Sequence, residues 1–270
     1  MTPMAENSKI EWTHHTLNLW WGCQRVHQGC DNCYAAALSN RWGKDLWDND
    51  KRQAIKNPFG KLDKWDRLAR MKGARHRVFV GSMMDIFEKP MPLYSSKGES
   101  LGKTTGDLRE EFFSRVNQYP NLIFLLLTKR PSNINKYIPL QWLVGPPENV
   151  MFGASVVDRK SSKNVASHLN KVKGKKFLSV EPLLEESDLD WFIVGSSETE
   201  YTWSFSIDWV IVGGESGPKS RAIKVDWVKN IRKACQAQSV AFFFKQWGGT
   251  NKKKSGRLLE GKEYNEMPVV

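Results

Sequence analysis

The sequence predicts an α/β fold, a partial or full (β/α) TIM-type barrel with mainly parallel strands. Three observations predict it: short apolar runs recur along the chain, helix-length segments separate them, and polar residues follow most of the runs. Alternating strands and helices form βαβ units with a parallel sheet. A chain of 270 residues, 40% of them hydrophobic, is long enough to build one such domain.

Seven apolar runs are the candidate strands. They are mainly apolar and do not alternate apolar with polar residues, as expected of parallel strands that are buried on both faces. All are far shorter than the ~20 residues that span a membrane. In chain order they are Leu17–Trp21, Val78–Val80, Leu122–Leu127, Val150–Val157, Phe177–Val180, Trp209–Val212 and Ala241–Phe244.

Helical segments are predicted between these strands. Cys33–Trp42 is rich in alanine, and Leu108–Gln118 and Val225–Ala237 repeat apolar residues at helical spacing. Two other segments break the alternation. Met91–Asp107 is rich in Ser, Gly and Lys and is predicted to be an exposed loop, and Ser196–Ser206 is predicted to be an insertion.

The chain is predicted to form one domain, residues 1–249, followed by a basic and polar tail, residues 250–270. It has no segment that resembles a signal peptide. Four cysteines in 270 residues are not typical of a secreted disulfide scaffold. We therefore expect a cytoplasmic protein without a membrane partner.

Polar residues stand at the carboxyl ends of most of the predicted strands. In a (β/α) barrel these positions share one rim, where active sites are built. The cysteine cluster follows the first predicted strand, so it is expected at the same rim. The polar residues are Ser82, Asp85, Thr128, Lys129, Ser155, Glu181, Glu215, Lys245 and Gln246.

Three of the four cysteines, Cys23, Cys30 and Cys33, lie within eleven residues. Structural zinc takes four ligands, and an iron–sulfur cluster usually takes four cysteines. Three thiolates leave one metal position open for a substrate or cofactor. The alternatives are a zinc knuckle that His27, His14 or His15 completes, and a disulfide pair with a spare thiol, which the low cysteine content disfavours.

The formal charge is +12, from 41 Lys and Arg against 29 Asp and Glu. Such an excess favours polyanions through counterion release, so nucleic acid is the expected partner class. Twelve tryptophans favour the same class, because aromatic rings stack on unpaired bases. The alternative is a merely solvated surface. The basic runs are Arg67–Arg77, Arg159–Lys163, Lys171–Lys176 and Lys252–Arg257.

Three cysteines at the rim of a parallel barrel resemble the radical S-adenosylmethionine superfamily. There, three cysteines hold a [4Fe–4S] cluster whose fourth iron chelates the amino and carboxylate groups of S-adenosylmethionine. One electron from the cluster cleaves the sulfonium and yields a 5′-deoxyadenosyl radical. The common spacing is three and then two intervening residues. Here it is six and then two, and Asn32 stands where an aromatic residue usually precedes the last cysteine.

Other motifs resemble those of spore-photoproduct-lyase-like enzymes of that superfamily. The run Gly81-Ser82-Met83-Met84-Asp85, followed by Pro90, resembles their second-strand motif. Leu127-Thr128-Lys129 resembles their Thr-Lys motif, and Phe152–Val156 resembles their fourth-strand serine segment.

The chain also resembles a phage-associated family with a three-cysteine motif, from Cys23 to Gly248. The resemblance implies a radical-SAM-like fold and a phage-encoded protein in the host cytoplasm. The shared motifs are Gly-Cys…Gly-Cys-x-x-Cys-Tyr-Ala, Val-Gly-Ser-Met-x-Asp-x-Phe, Leu-Thr-Lys-Arg-Pro, Ser-x-Glu-Pro-Leu-Leu, Ile-Val-Gly-Gly-Glu-Ser-Gly and Phe-Phe-Phe-Lys-Gln-Trp-Gly.

These resemblances imply roles for the residues at the rim. The three clustered cysteines would hold a [4Fe–4S] cluster, and S-adenosylmethionine would bind at its open iron. Asp85 and Ser82 are assigned to the methionyl end of the cofactor, and Thr128 and Ser155 to its ribose or carboxylate. The remaining cofactor-binding candidates are Tyr34, over the cluster or the adenine, and Glu181.

Four residues are candidates for contact with the substrate or for its chemistry. Lys129 is placed to meet a phosphate or a base edge, and so is Lys245. Glu215 would face the substrate or the ribose, unless it is a surface residue of a tight turn. Cys235 would return a hydrogen atom to a product radical, but its place in a predicted helix favours a buried structural thiol.

The leading hypothesis is a radical S-adenosylmethionine enzyme that abstracts hydrogen from a nucleic-acid substrate, with a flavodoxin or ferredoxin-type reductant. Its chemistry would be rearrangement of thymine during phage DNA hypermodification, or repair of a DNA lesion. The alternatives are a zinc-stabilised nucleic-acid-binding protein without catalysis, and a radical enzyme that acts on a peptide or metabolite.

Overall fold

The computed structural model describes residues 5–6, 8, 10–187, 189–196 and 202–269. By its internal packing the chain divides into an N-terminal unit, residues 1–152, and a C-terminal unit, residues 153–269. Within the described residues the strands are β1 (Ala5–Glu6), β2 (His15–Leu17), β3 (Trp20–Trp21), β4 (Arg52–Ala54), β5 (His76–Val80), β6 (Pro92–Tyr94), β7 (Ser100–Thr104), β8 (Leu122–Thr128), β9 (Val150–Ser155), β10 (Lys175–Val180), β11 (Ile193–Ser196), β12 (Thr202–Phe205), β13 (Trp209–Gly213) and β14 (Ala241–Gln246).

Helices separate the long strands, as the sequence predicts. The α-helices are α1 (Tyr34–Arg41), α2 (Leu62–Met71), α3 (Thr105–Arg115), α4 (Ile134–Tyr137), α5 (Arg159–Leu169), α6 (Val225–Ala237) and α7 (Lys252–Ser255). Short 3₁₀ helices cover Gln28–Cys30, Val116–Gln118, Pro131–Asn133, Leu140–Leu143 and Asp190–Phe192.

The main sheet has the strand order β1-β2-β5-β8-β9-β10-β13-β14. Its strands therefore adjoin one another in chain order, which is the arrangement of (β/α) barrels. The short β1 pairs antiparallel with β2, while parallel ladders join β2 to β5, β5 to β8, β10 to β13 and β13 to β14. The predicted fold class, an α/β partial barrel with mainly parallel strands, is confirmed.

In the N-terminal unit the first predicted strand, Leu17–Trp21, is split between two sheets. β2 ends at Leu17, and the next two-residue strand, β3, belongs to a second sheet of order β3-β4-β6-β7. The buried side chain of Asn18 lies at the break. Its amide donates to Ser82 Oγ and its carbonyl oxygen accepts from the Met83 backbone N–H, both at 2.8 Å.

The prediction of an exposed loop at Met91–Asp107 is wrong. β6 and β7 form an antiparallel pair there, and α3 begins at Thr105. Thr104 and Asp107 form a capping box at the start of this helix, which satisfies backbone N–H groups that would otherwise lack partners. The predicted Leu108–Gln118 helix is α3 and the 3₁₀ turn that follows it.

In the C-terminal unit, β10, β13 and β14 form a parallel ladder that aligns Phe177 with Trp209 and Trp209 with Ala241. The predicted insertion at 196–206 falls on the antiparallel pair β11 and β12, and residues 197–201 lie outside the described residues. After residue 250, the Phe244 backbone N–H donates to Tyr264 O, so part of the predicted tail pairs with β14.

None of the helices in the described residues is long and apolar enough to cross a membrane.

Candidate functional site

The three clustered cysteines lie on the loop of the N-terminal unit that joins β3 to α1. Cys23 comes two residues after β3, Cys30 ends a 3₁₀ turn, and Cys33 occupies the N-cap position of α1. His27 shapes this loop, because its Nδ1 accepts from the Gly29 backbone N–H at 3.1 Å. All three cysteines are free thiols, Cys30 buried and the other two half-buried.

Gly22 lets the chain turn into this loop. Its φ of +115° is one that residues with a side chain rarely adopt. A Cβ atom there would also lie 2.5 Å from Leu46 O and 2.9 Å from Arg52 Cδ. Glycine immediately before Cys23 is therefore a steric requirement of the local backbone.

Asp85 is the centre of a polar group at the carboxyl ends of β5 and β8. Its Oδ1 accepts from Thr128 Oγ1 at 2.7 Å and from the Phe87 N–H at 3.0 Å. Its Oδ2 accepts from Arg130 Nη1 at 2.8 Å and from the Lys129 N–H at 3.1 Å. Four donors fill the acceptor capacity of a carboxylate. A cofactor amino group would have to replace one of these donors to bind Asp85.

Arg130 connects this polar group to the cysteine loop. The Nη1 atom that donates to Asp85 lies 3.7 Å from Cys23 Sγ, and Nη2 donates to Gln24 O at 2.8 Å. Burial alone would lower the pKa of Arg130, but the charges of Asp85 and Cys23 raise it above its ordinary value. The loop therefore has a guanidinium group, paired with Asp85, beside one of its sulfur atoms.

Tyr34 and Ser82 provide a second connection between the cysteine loop and the carboxyl end of β5. The Tyr34 hydroxyl, on the first residue of α1, donates to Ser82 O at 2.6 Å. The Ser82 hydroxyl accepts from Asn18, as described above. The structure thus brings the predicted cofactor-binding residues Tyr34, Ser82, Asp85 and Thr128 together with the cysteine loop in one unit.

A buried ion pair, Arg52 with Glu88, lies next to the same region in sequence and in the sheet. Arg52 on β4 donates to both carboxylate oxygens of Glu88, at 2.8 and 2.9 Å, and their side chains are only 0% and 2% exposed. Burial raises the pKa of Glu88, while the hydrogen bond and charge of Arg52 lower it. Because β4 pairs with β3, this ion pair connects the strand that leads into Cys23 to the segment that contains Asp85.

Among the described residues, no three His, Cys, Asp or Glu side chains are grouped closely enough to hold a metal ion. The donors nevertheless fit an iron–sulfur cluster in kind, because thiolates are its usual ligands and Arg130 offers an N–H to one sulfur. Burial, and then the charge of Asp85, raise the pKa of Cys23 to about 12. Metal binding at Cys23 would therefore release a proton.

His14 and His15 are engaged in a separate cluster at the amino end of β2 and β5. His15 Nε2 lies 3.0 Å from His76 Nδ1, and the His15 ring stacks on Trp65. His14 accepts from the Arg77 N–H at 2.9 Å. These contacts do not favour a zinc knuckle that either of the two completes.

A second polar group lies in the C-terminal unit, at the carboxyl ends of β10, β13 and β14. Lys245 Nζ lies 2.7 and 2.8 Å from the two carboxylate oxygens of Glu181. Gln246 Nε2 donates to Ser216 Oγ at 2.7 Å. The predicted phosphate contact Lys245 is therefore already neutralised by Glu181.

Comparison with protein-family models places the chain in a family. The model described as a protein of unknown function, DUF5131, matches residues 7–268. The chain belongs to this family. No curated protein and no solved structure matches the chain.

In this DUF5131 chain Glu215 is buried and pairs with Arg221. Arg221 donates to both of its carboxylate oxygens, at 2.6 and 3.0 Å, and its backbone N–H donates at 2.9 Å. These contacts hold the chain that follows β13 in a closed turn. Glu215 is therefore not the surface residue of a tight turn that was the alternative in the sequence analysis. Its charge is already paired with that of Arg221.

The remaining predicted residues have different environments. Ser155, at the end of β9, is buried, and Lys129 is half-buried. Cys235 lies inside α6 and is fully buried, and burial raises the pKa of its thiol to about 12. This is the environment of an inert structural thiol.

Sequence reasoning did not single out two residues of the N-terminal site, Arg130 and Asn18. Arg130 belongs to the Leu-Thr-Lys-Arg-Pro motif, beside the predicted residues Thr128 and Lys129, so the motif contained the signal. Asn18 is a polar residue inside an apolar run, and such a residue needs hydrogen-bond partners when buried.

Proposed function

We propose that the chain is a radical S-adenosylmethionine enzyme that acts on nucleic acid. The observation that carries the proposal is the bridge that Arg130 makes from Cys23 to Asp85. It joins the three-cysteine loop to the polar group at the carboxyl ends of β5 and β8, the edge of an α/β sheet where ligands bind. A structural zinc knuckle does not need such a connection.

In this proposal Cys23, Cys30 and Cys33 hold a [4Fe–4S] cluster that leaves one iron open. When bound, the cluster and S-adenosylmethionine supply one-electron cleavage and hydrogen-atom abstraction. The chain's own groups bind and orient the cofactor. The candidate groups are the hydroxyls of Ser82 and Thr128 and the ring of Tyr34, which the contacts of Tyr34 with Ser82 and of Arg130 with Thr128 connect to the cysteine loop.

Asp85 has a positioning role in this proposal. Its four donors leave it little capacity to bind the methionyl group directly. It instead fixes Arg130 so that the guanidinium faces the Cys23 sulfur, and it fixes the Thr128 hydroxyl. We therefore revise the expected role of Asp85 from cofactor ligand to support of the groups around the ligand.

The charge of +12 supports a nucleic-acid substrate, because basic proteins gain affinity for phosphates by counterion release. The proposed reaction is rearrangement of thymine during phage DNA hypermodification, or repair of a DNA lesion. A cytoplasmic flavodoxin or ferredoxin would deliver the electron. Single-stranded or mismatched DNA should bind at least as well as duplex, since the reacting base must leave the stack.

Anaerobic purification and reconstitution test the proposal. The protein should be brown, with about four irons and four sulfides per chain, and with dithionite it should convert S-adenosylmethionine to 5′-deoxyadenosine. Cys23→Ala, Cys30→Ala and Cys33→Ala should each abolish both properties, while the matched control Cys235→Ala should retain them. Stoichiometric zinc with no iron would support the zinc-stabilised binding protein instead.

The substrate class has a separate test. Binding of single-stranded DNA should weaken steeply as salt rises. A protein that forms the cluster and cleaves S-adenosylmethionine, but binds no nucleic acid at low salt, would be a radical enzyme for a peptide or metabolite.

A further inference from the structure

The side chains of Glu181 and Lys245 form an ion pair across β13, the strand that lies between β10 and β14 in the sheet. Glu181 directly follows β10 and Lys245 lies near the end of β14, while β13 separates these two strands in the sheet. Gly213 ends β13, and a Cβ atom there would lie 3.2 Å from Glu181 Cδ and 3.3 Å from its Oε1. The glycine therefore leaves the space through which the two charged side chains reach each other.

Stability alone is a weak reason for such a pair. The side chains of Lys245 and Glu181 are only 14% and 20% exposed, so both groups lose most of their hydration. Apolar side chains of similar size often stabilise such a position as well as an ion pair does. The pair instead lies at the carboxyl ends of parallel strands, where α/β sheets bind their ligands.

The remaining hydrogen-bonding capacity of the pair defines its ligand. An ammonium has three donors and a carboxylate has about four acceptor positions. Their mutual contacts use two of each, and Gln246 Nε2 approaches Glu181 Oε1 only at 3.4 Å. One donor therefore remains on Lys245, beside acceptor positions on Glu181.

This arrangement disfavours an anion. A phosphate that contacted Lys245 would also approach the carboxylate that lies within 2.8 Å of the ammonium, and like charges repel. A neutral group with an acceptor beside a donor satisfies both side chains. Nucleobases present this combination on their Watson–Crick edges, and enzymes that act on flipped bases read those edges.

We propose that the Glu181–Lys245 pair binds the Watson–Crick edge of a substrate nucleobase, with thymine as the committed case. Lys245 donates to a carbonyl oxygen of the base and Glu181 accepts from its N3–H. The inference rests on the nucleic-acid part of the proposed function. It does not depend on the cluster, because the pair belongs to the C-terminal unit.

The test measures binding of fluorescent single strands to the full-length, cluster-free protein. The three probes are oligothymidylate, the same strand with N3-methylthymine, and an abasic strand of equal length. The wild type should bind oligothymidylate about tenfold more tightly than either other strand, as expected for one specific pair of hydrogen bonds. The double variant Glu181→Met/Lys245→Met removes both the acceptor and the donor, and its formal charge stays at +12. It should lose this preference and keep its affinity for the abasic strand.

The matched control is Glu260→Gln/Lys229→Met. It removes an exposed ion pair of 2.9 Å from the same unit and should bind all three strands like the wild type. If the first double variant does not fold, Glu181→Met alone, which removes the acceptor for the N3–H, should lose the discrimination against N3-methylthymine.

Three results would overturn the inference: a wild type that does not distinguish the strands, a variant that keeps the preference, or a variant whose affinity for all strands falls equally. If the protein binds no strand at all, the nucleic-acid part of the proposed function fails with it. Iron content and S-adenosylmethionine cleavage are separate measurements and are unaffected by these results.

Discussion

Replacement of Arg52 by methionine should destabilise the N-terminal unit strongly. Arg52 makes two bonds to the Glu88 carboxylate and two more, each at 2.8 Å, to the backbone oxygens of Asn49 and Lys51. Its side chain is 0% exposed. Methionine fills a similar volume but leaves the buried carboxylate without a counter-charge, which costs about 3–5 kcal/mol. Folded proteins have only ~5–15 kcal/mol of stability.

The loss should depend on pH. Without Arg52, burial is the main influence on Glu88, so the pKa of Glu88 in the folded variant lies above that in the unfolded chain. A carboxyl group of this kind favours the folded state when protonated, and that contribution disappears as pH rises through the folded pKa. Arg52→Met should therefore be less destabilised relative to the wild type at pH 5 than at pH 8.

Urea denaturation followed by tryptophan fluorescence measures the free energy of unfolding. The double variant Arg52→Met/Glu88→Leu is the critical comparison, because it removes both charges and should be more stable than Arg52→Met alone. Iron content after reconstitution should fall in Arg52→Met, since β4 pairs with the strand that leads into Cys23. An Arg52→Met protein within about 1 kcal/mol of the wild type, below the range for a broken buried pair, would refute this reasoning, and so would a double variant that loses the sum of both single effects.

Three further predictions concern the same unit. Gly22→Ala should lower the thermal midpoint and the iron content, because its Cβ would clash with the backbone oxygen of Leu46. The control is Gly43→Ala, where φ is +66° but a Cβ would meet no atom within 4 Å, so its iron content should change little. Equal effects of the two substitutions would contradict the steric account. Burial, and then the charge of Arg77, lower the pKa of His14 to about 4, so the unfolded chain binds more protons and stability should fall between about pH 6.5 and 4. His14→Asn keeps an acceptor for the Arg77 N–H and should make the urea midpoint fall less over this pH range. An unchanged pH dependence would show that His14 is not the group responsible. Arg130→Met should lower the reduction potential of the reconstituted cluster, since charge and hydrogen bonds at sulfur set that potential. Arg130→Lys keeps the charge and should have a potential between those of Arg130→Met and the wild type. Equal potentials in all three proteins would show that Arg130 does not act on the cluster.

The fold was predictable where burial leaves a simple pattern. The runs that form β5, β8, β10, β13 and β14 are mainly apolar because parallel strands are covered on both faces. The prediction of a loop at 91–107 was wrong because burial leaves no such pattern there. Most of β7 is exposed, so its composition resembles that of a loop, and its pairing with β6 leaves no trace in the apolar pattern.

The site was predictable in its residue types and less so in its contacts. The cysteines and the polar strand ends mark Asp85 and Thr128, because those positions follow from the strands. The Arg52–Glu88 and Glu181–Lys245 pairs join residues 36 and 64 positions apart. Such pairs depend on strand order, and the second one also on the room that Gly213 leaves beside Glu181. Composition and spacing determine neither.

Electron paramagnetic resonance of the reduced, reconstituted protein tests most directly whether the three-cysteine loop leaves one iron open. We predict the signal of a reduced [4Fe–4S] cluster, and a change in that signal when S-adenosylmethionine is added, because the cofactor would bind the iron that lacks a cysteine. Cys235→Ala should behave like the wild type. A cluster signal that S-adenosylmethionine leaves unchanged, or a colourless protein with one zinc per chain, would contradict the proposed function.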